Sequence, residues 1–505
     1  MAGQLSTKCK VIVVFYEATE HLFHMELTSG MNAGINRIQR IVSEGIAVIF
    51  LCAVFPVFAQ EADKSQETKT QGADARRLEA QKLETQTIEV QLNREYIALL
   101  DKFLGATPSG TPDYSNIKQL FDAIDSATER NNLPQALTLI KANQKIITDN
   151  IDSKEAIKII EITLDYGVQS LSDHLIQYAQ QYAGSYVNAN IHYALAVQAY
   201  NRQDYDKTLQ YLSKIDSSGS LSRSRRDYAT LLFGICLQHR SKHREAMKIY
   251  ERLGKKSKYY THAQLNLAVA YVRQGWWTDA QIAIEKALEQ SKPEKQSEFI
   301  NRLYVVLGYS QLKNEFYRNA RQTFRHVSLD SQYMSRALLG IGLCALNQKD
   351  YLGALNAFDR LKKSKDYDLT IAESNLLVPF TIERMKELET ASAGYSEAIA
   401  YYGVKILEFE NYPFNHIVDI PADDPAAKIL KPLPKHNLHQ LTVLQQMQTA
   451  TQGSSLEIPT TSLTSRYTHL LKQFRQQQIN EHLTQLRSYL SQSQYGFAKL
   501  YDENQ

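Results

Sequence analysis

A marker residue returns at near-regular intervals through the middle of the chain, and this return constrains the fold more than any other feature. One residue early in each alternate apolar segment, usually small, serves as the marker: Ala136, His174, Thr208, Ala246, Ala280, Ala320, Ala354 and Ala398. Three of the steps between them are 34 residues, and the others run from 38 to 44. Around each marker apolar residues recur at i, i+3 and i+4, the spacing of one helix face. The clearest unit runs from Thr261 to Pro293. Its first helix presents Leu267, Ala268 and Tyr271, a turn follows at Gly275 with Trp277 beyond it, and its second helix presents Ala280, Ile284 and Ala287.

Other positions hold the same register. A second small residue recurs in the first helix as Ala196, Gly234, Ala268, Gly308 and Gly342. The turn aromatic is Tyr205, Trp277, Tyr317, Tyr351 and Tyr395, and the large residue of the second helix is Leu212, Tyr250, Ile284, Phe324, Phe358 and Tyr402. A helix pair of this size cannot bury its own apolar face, so neighbours must stack. This set of positions resembles the tetratricopeptide repeat. The resemblance covers residues 116–410, about eight helix pairs, with weak units at both ends. It implies an all-α fold, a right-handed superhelical solenoid with an N-terminal helix and a C-terminal helical cap. It also implies a concave groove that binds protein or peptide segments, and it brings no catalytic residue and no cofactor.

In such repeats the first helix of each pair faces inward. The groove candidates are therefore Tyr193, Tyr200 and Asn201 in one unit and Tyr228 and His239 in the next. Arg273 follows, then Arg302, Tyr309 and Lys313, then Arg336 and Asn347. Leu231, Leu265, Val305 and Leu339 share these faces, giving an apolar and aromatic wall with a basic fringe. That wall suits an amphipathic helix or extended peptide with acidic edges. The plainer reading is that its Leu and Val residues pack against neighbouring repeats. The Lys and Asn clamp with which one subfamily holds a terminal carboxylate is absent, because those positions hold Tyr193 and Val197, Leu231 and Ile235, or Val305 and Tyr309.

Bulk composition is that of a folded soluble chain, with 43% hydrophobic and 22% charged residues among 505. A net charge of +3 indicates no nucleic-acid surface overall. One segment stands apart: Gly45 to Ala59 carries no charge. It is shorter than the roughly 20 residues a membrane helix needs, and it contains Pro56. Arg37 and Arg40 precede it and Val57-Phe58-Ala59 ends it, the pattern of a secretory leader cleaved between Ala59 and Gln60. Residues 1–30 read as an upstream extension and 31–59 as a signal peptide starting at Met31. With no Asn-x-Ser/Thr sequence in the chain, a periplasmic protein is expected. No transmembrane helix is expected in the mature chain.

Candidate chemistry is sparse. His239 and His243 are four apart but fall on either side of a turn, so no metal site is expected. Cys236 and Cys344 sit three units apart, too far for a disulfide, which needs α-carbons within about 7 Å. Glu373-Ser374 resembles the acid pair of lytic transglycosylases, but the Gly-Leu-Met-Gln-type motif that should follow is missing. The expectation is a non-enzymatic scaffold or adaptor in a cell-envelope assembly, with a protein or peptide partner and no nucleic acid. The alternatives are a peptidoglycan- or glycan-acting hydrolase on a solenoid platform and a cytosolic adaptor. Around the solenoid, residues 60–115 read as a polar helix and linker, 411–463 as a proline-rich irregular linker, and 464–505 as an apolar-striped helix that must bury its stripe.

Overall fold

The computed structural model describes residues 67–105, 112–130, 132–215, 221–290, 297–364 and 367–503. The segment expected to be a leader, with the expected cleavage positions Ala59 and Gln60, lies outside them. All regular structure among the described residues is helical, in twenty helices. A long helix, α1 (Glu67–Gly105), comes first. The pair α2 (Ile117–Glu129) and α3 (Leu133–Ala142) is followed by the short α4 (Gln144–Asp149), then by α5 (Lys154–Asp165) with α6 (Gln169–Tyr182). Next stand α7 (Ser185–Asn201) with α8 (Tyr205–Ser213), α9 (Arg223–His239) with α10 (His243–Tyr250), and α11 (Tyr260–Arg273) with α12 (Trp277–Gln290). The last pairs are α13 (Ser297–Lys313) with α14 (Tyr317–Phe324), α15 (Met334–Asn347) with α16 (Tyr351–Lys362), and α17 (Leu369–Arg384) with α18 (Leu388–Glu410). Two more helices follow, α19 (Lys435–Ala450) and α20 (Glu457–Glu503).

One backbone device makes the turn inside successive pairs. A residue there takes a positive φ: Gly167 (68°), Gln203 (63°), Ser241 (59°), Gly275 (76°), Glu315 (64°), Lys349 (63°) and Lys386 (70°). The next amide reaches back five residues, as Asp204 N–H donates to the Ala199 carbonyl and Asp350 N–H to that of Ala345, each at 2.9 Å. Carbonyls left over at the end of the first helix are thereby satisfied. The Asp204 and Asp350 carboxylates then accept from Lys207 N–H and Gly353 N–H, each at 3.0 Å, and so open the second helix. Five of the seven sites hold a side chain where the left-handed conformation costs roughly 1–2 kcal/mol. Exposed Lys349→Gly is expected to raise the unfolding free energy by about 0.5–1 kcal/mol, the gain being reduced by the freer unfolded glycine. A urea titration reads it; an unchanged or lower midpoint would mean the turn carries no such cost.

Glycine and aromatic side chains interlock between the helices. A Cβ on Gly234 would lie 2.3 Å from the Tyr250 ring, and one on Gly342 would lie 2.4 Å from Phe358. Phe324 is held from two sides, by Gly308 of its own pair at 2.5 Å and Gly340 of the next at 2.4 Å. All three rings are buried. The second helices α10, α14 and α16 thus plug into the backbone of first helices, and one continuous core runs from Ala196 to Val378.

The register needs two corrections. The marker position is the fourth residue of each second helix, as Ala136, Thr208, Ala246, Ala280, Ala320 and Ala354 are. In α6 that residue is Ser172, which is buried, whereas His174 is exposed. In α18 it is Ala391 rather than Ala398. Residues seven apart share a helix face, so the apolar period could not separate Ala391 from Ala398. Tyr395 is consequently the large interior residue of α18, not its turn aromatic.

The chain after residue 410 is more helical than its prolines suggest. Helix α19 lies within the stretch expected to be a linker, and α20 starts at Glu457, with Pro459 in its first turn. The amides there have no intrahelical acceptor anyway, so proline costs little. At 47 residues α20 is about 70 Å long. Its extended contacts are with α1, α17, α18 and α19. Tyr467, Leu470 and Leu471 join the core of α1, α19 and the first pairs, while Ile479, Leu483 and Leu486 pack with Tyr402 and Phe409 of α18. A Cβ on Gly496 would lie 2.5 Å from the Tyr395 ring. The end of α20 therefore stands where the first helix of a ninth pair would stand. It caps the stack, and the same helix ties the last pair through α1 and α19 to the first.

His482 sits on this tie. It is buried, 2.7 Å through Nε2 from the Tyr367 hydroxyl and edge-on to Phe409. Burial, helped by Lys405, pushes its imidazole down to about 4. A histidine kept neutral in the fold gives stability that is full above the unfolded value near 6.5 and is lost as pH falls from there towards 4, about 3 kcal/mol in all. Between those pH values the stability of His482→Gln is expected to fall less steeply than that of the parent, by roughly one proton. Urea titrations across the range measure the slope. Parallel slopes would place the acid sensitivity elsewhere.

Candidate functional site

The inward residues of the first helices form two bands. One lies by the turns inside the pairs. Here Tyr200 and Asn201 end α7, His239 ends α9, Arg273 ends α11, Lys313 ends α13 and Asn347 ends α15. Tyr205, the first residue of α8, bridges the first two of these units. Its ring lies 6.3 Å from that of Tyr200 and stacks on His239 at 4.4 Å with 2° between planes. His239 is covered on that face and open at its edge; burial and the Arg273 guanidinium push its imidazole down to about 4. It is therefore neutral at ordinary pH, and Arg273 carries the charge beside it. Further along, the Lys313 ammonium lies 4.9 Å over the ring of Trp277, the first residue of α12. This band is open: His239 and Arg273 are exposed, and Tyr200, Asn201, Lys313 and Asn347 are half-buried. It alternates flat rings with cations across successive units.

The other band is closed. Tyr193 is half-buried, and its ring lies 6.5 Å from that of Tyr228, which lies 5.2 Å from Tyr259. Arg225 covers Tyr193 at 5.2 Å and donates to both Glu161 oxygens, at 2.6 and 3.2 Å, and to Asn190 Oδ1 at 2.7 Å. Tyr228, Arg302 and Tyr309 are buried. The Tyr309 hydroxyl donates to the Arg336 carbonyl at 2.9 Å and its ring meets Phe324 edge-on, so it locks two pairs together. Arg336 is half-buried, and the Asn347 amide donates to the Leu343 carbonyl at 2.8 Å. Leu231, Leu265, Val305 and Leu339 are all buried in the shared core. First helices pack directly on one another, α9 on α11 and α13 on α15, and this absorbs the apolar middle of the wall.

Four residues that shape these bands were not among the sequence candidates: Tyr205, Trp277, Arg225 and Tyr259. Tyr205 and Trp277 read as hairpin aromatics, and only stacking between units turns their rings towards the wall. Arg225 and Tyr259 lie at the start of a helix and in a loop, where helical period gives no signal.

Ser374 is buried and donates to the Ile371 carbonyl at 2.7 Å, the bond of a helical serine to its own turn. Cys236 and Cys344 are both free and buried, and burial first of all pushes each thiol up to about 12. Among the described residues no group of three or more His, Cys, Asp or Glu side chains could hold a metal ion, and no helix is long and apolar enough to cross a membrane.

Residues 305–368, from within α13 to the end of α16 and the loop after it, match the family model of the tetratricopeptide repeat. No curated protein matches the chain. Among solved structures it is similar to the apo form of RapI, with 11% identity over 67% of this chain and 99% of that one, at a TM-score of 0.42. It is also similar to the apo quorum sensor NprR from B. thuringiensis, with 12% identity over 71% and 98% of the two chains and a TM-score of 0.30. NprR in complex with its cognate peptide NprX gives 13% identity, the same coverage and a TM-score of 0.27. Superpositions this loose fix neither register nor site. The matched stretch, residues 305–368, holds two whole second helices and the glycine–aromatic contacts of Phe324 and Phe358, and the positive-φ turn recurs in the pairs on either side, at Gly275 and Lys386.

Proposed function

We propose that the chain is a non-enzymatic scaffold that holds a protein or peptide segment along the turn-end band of its inner wall. The open band from Tyr200 to Asn347 is the observation that carries this reading. Rings and cations stand there on successive rigid helices, and a segment laid across them meets flat apolar faces flanked by Arg273 and Lys313. Acidic or aromatic side chains on the segment complement both. We further propose that the protein works in the periplasm, after removal of a leader ending at Ala59, within a cell-envelope assembly. The uncharged run from Gly45 to Ala59 and the basic residues before it support export.

Affinity capture after cross-linking, read by mass spectrometry, tests both parts. Arg273→Glu with Lys313→Glu is expected to cut recovery of the captured partner about tenfold, a change of roughly 1.4 kcal/mol, with unfolding midpoints little altered. A peptide starting at Gln60 is expected in the same spectra. Undiminished capture would remove the band from the account, and peptides from residues 1–30 with cytosolic partners would remove export.

A further inference from the structure

The positive charge of this chain is concentrated in one unit. Residues 222–258, which hold α9, α10 and the loop after them, contain eleven Lys and Arg against three Asp and Glu, a net of +8 in a chain whose total is +3. At the turn end of this unit the cations are answered. Arg240 pairs with Asp206 at 2.7 Å, Lys242 with Glu245 at 3.7 Å, and Arg244 lies 5.8 Å over the Trp276 ring.

At the loop end they are not. Arg223 and Arg226 open α9, Lys248 and Arg252 lie at the end of α10, and the loop carries Lys255 and Lys256. All six are exposed, and none forms an ion pair among the described residues. The two helices form one hairpin of unequal arms: α10 ends at Tyr250 beside Gly234, midway along α9, and the chain after it runs on towards the start of α9. The Tyr228–Tyr259 ring contact brings the loop to that end. Carboxylates lie nearby, and Asp279 lines one pocket with Glu251 and Lys255. Glu161 is committed to Arg225, Asp227 faces Lys258, and Glu251 accepts from the Tyr271 hydroxyl at 3.3 Å. The first turn of α9 contains no acid, so Arg223 and Arg226 stand at the positive end of the helix dipole, where Arg226 donates to the Leu221 carbonyl at 3.0 Å.

We infer that the loop end of the α9–α10 unit is a docking surface for an acidic protein segment, one presenting several Asp and Glu side chains in a row. Guanidinium forks at Arg223, Arg226 and Arg252 suit carboxylates held in bidentate fashion. A bilayer or a single-stranded nucleic acid would call for exposed apolar anchors or stacking rings. The aromatic residues at this edge, Tyr228 and Tyr259, are instead buried. Along α9 the surface lies about 24 Å from His239, so it is separate from the turn-end band and stands whether or not that band binds a segment.

Fluorescence anisotropy of the full chain with a labelled acidic peptide of about a dozen Glu and Asp residues tests the inference, with anionic phospholipid vesicles and duplex DNA as competing probes. The variant Arg223→Glu, Lys255→Glu, Lys256→Glu is expected to weaken peptide binding about tenfold or more. The control variant Lys118→Glu, Lys141→Glu, Lys145→Glu makes the same charge change on exposed lysines of the first helices and is expected to leave binding within about twofold. Circular dichroism shows whether both variants are folded. Three results would overturn the inference: no peptide binding by the parent chain, equal weakening in both variants, or vesicles or DNA bound more tightly than the peptide.

Discussion

Phe324→Ala is expected to lower the unfolding free energy by about 3–5 kcal/mol, among the largest losses a single substitution can cause in this chain. The ring is buried between the backbones of two successive first helices, with Gly308 below it and Gly340 above. Its removal opens a cavity at a junction between units rather than inside one. The converse change, Gly340→Val, pushes a branched side chain into a ring that has no room to retreat, at a cost of roughly 1–3 kcal/mol or more. Urea titration gives the magnitude, and hydrogen exchange in α13 to α16 gives the location. A loss below about 1 kcal/mol for Phe324→Ala would mean that the units are not held together by this lock.

Arg475→Met is the second. Arg475 is buried on α20, where Nε donates to the Ile417 carbonyl at 2.9 Å and Nη1 to the Lys431 carbonyl at 2.5 Å and to Gln478 Oε1 at 3.1 Å. One guanidinium thus pins both ends of the irregular stretch between α18 and α19 to α20. Methionine keeps the volume of the stem but takes the charged donor from the Ile417 carbonyl and leaves that of Lys431 with Gln478 Nε2 alone, at 3.1 Å, a loss of about 2 kcal/mol. Amide exchange over residues 411–434 is expected to accelerate while that in α9 to α12 stays unchanged. Acceleration throughout the chain, or none, would contradict the pinning role.

The middle of the fold is legible in the sequence because its physics is local. Gly234, Gly308 and Gly342 recur in the first helices, and Tyr250, Phe324 and Phe358 recur at one place in the second, so the spacing of small and large residues states the packing outright. At the ends it does not. Ser172 and Ala391 hold the marker position, but His174 and Ala398 fit a helical period nearly as well, and only the helix starts decide between them. The stripe from Tyr467 to Leu500 shows that α20 must bury a face but not against what. Gly496 meets Tyr395 across about a hundred residues of chain, and no local pattern records that contact. The inner wall divides the same way. Helical register places Tyr228, Arg302 and Tyr309 on the inward face, whereas their burial follows from how tightly neighbouring first helices close. Conversely, Tyr205 and Trp277 join Tyr200, His239 and Lys313 only through contacts between units.

Photo-cross-linking tests the central claim most directly. A benzophenone amino acid placed at Asn201 and, separately, at Asn347 samples the two ends of the open band, and one at Leu352 on the exposed face of α16 serves as the control. The account predicts that both band positions capture the same protein in cells, that Leu352 does not, and that Arg273→Glu with Lys313→Glu lowers both adducts about tenfold. Adducts of equal yield at all three positions, or none at the band, would contradict a segment held along the inner wall.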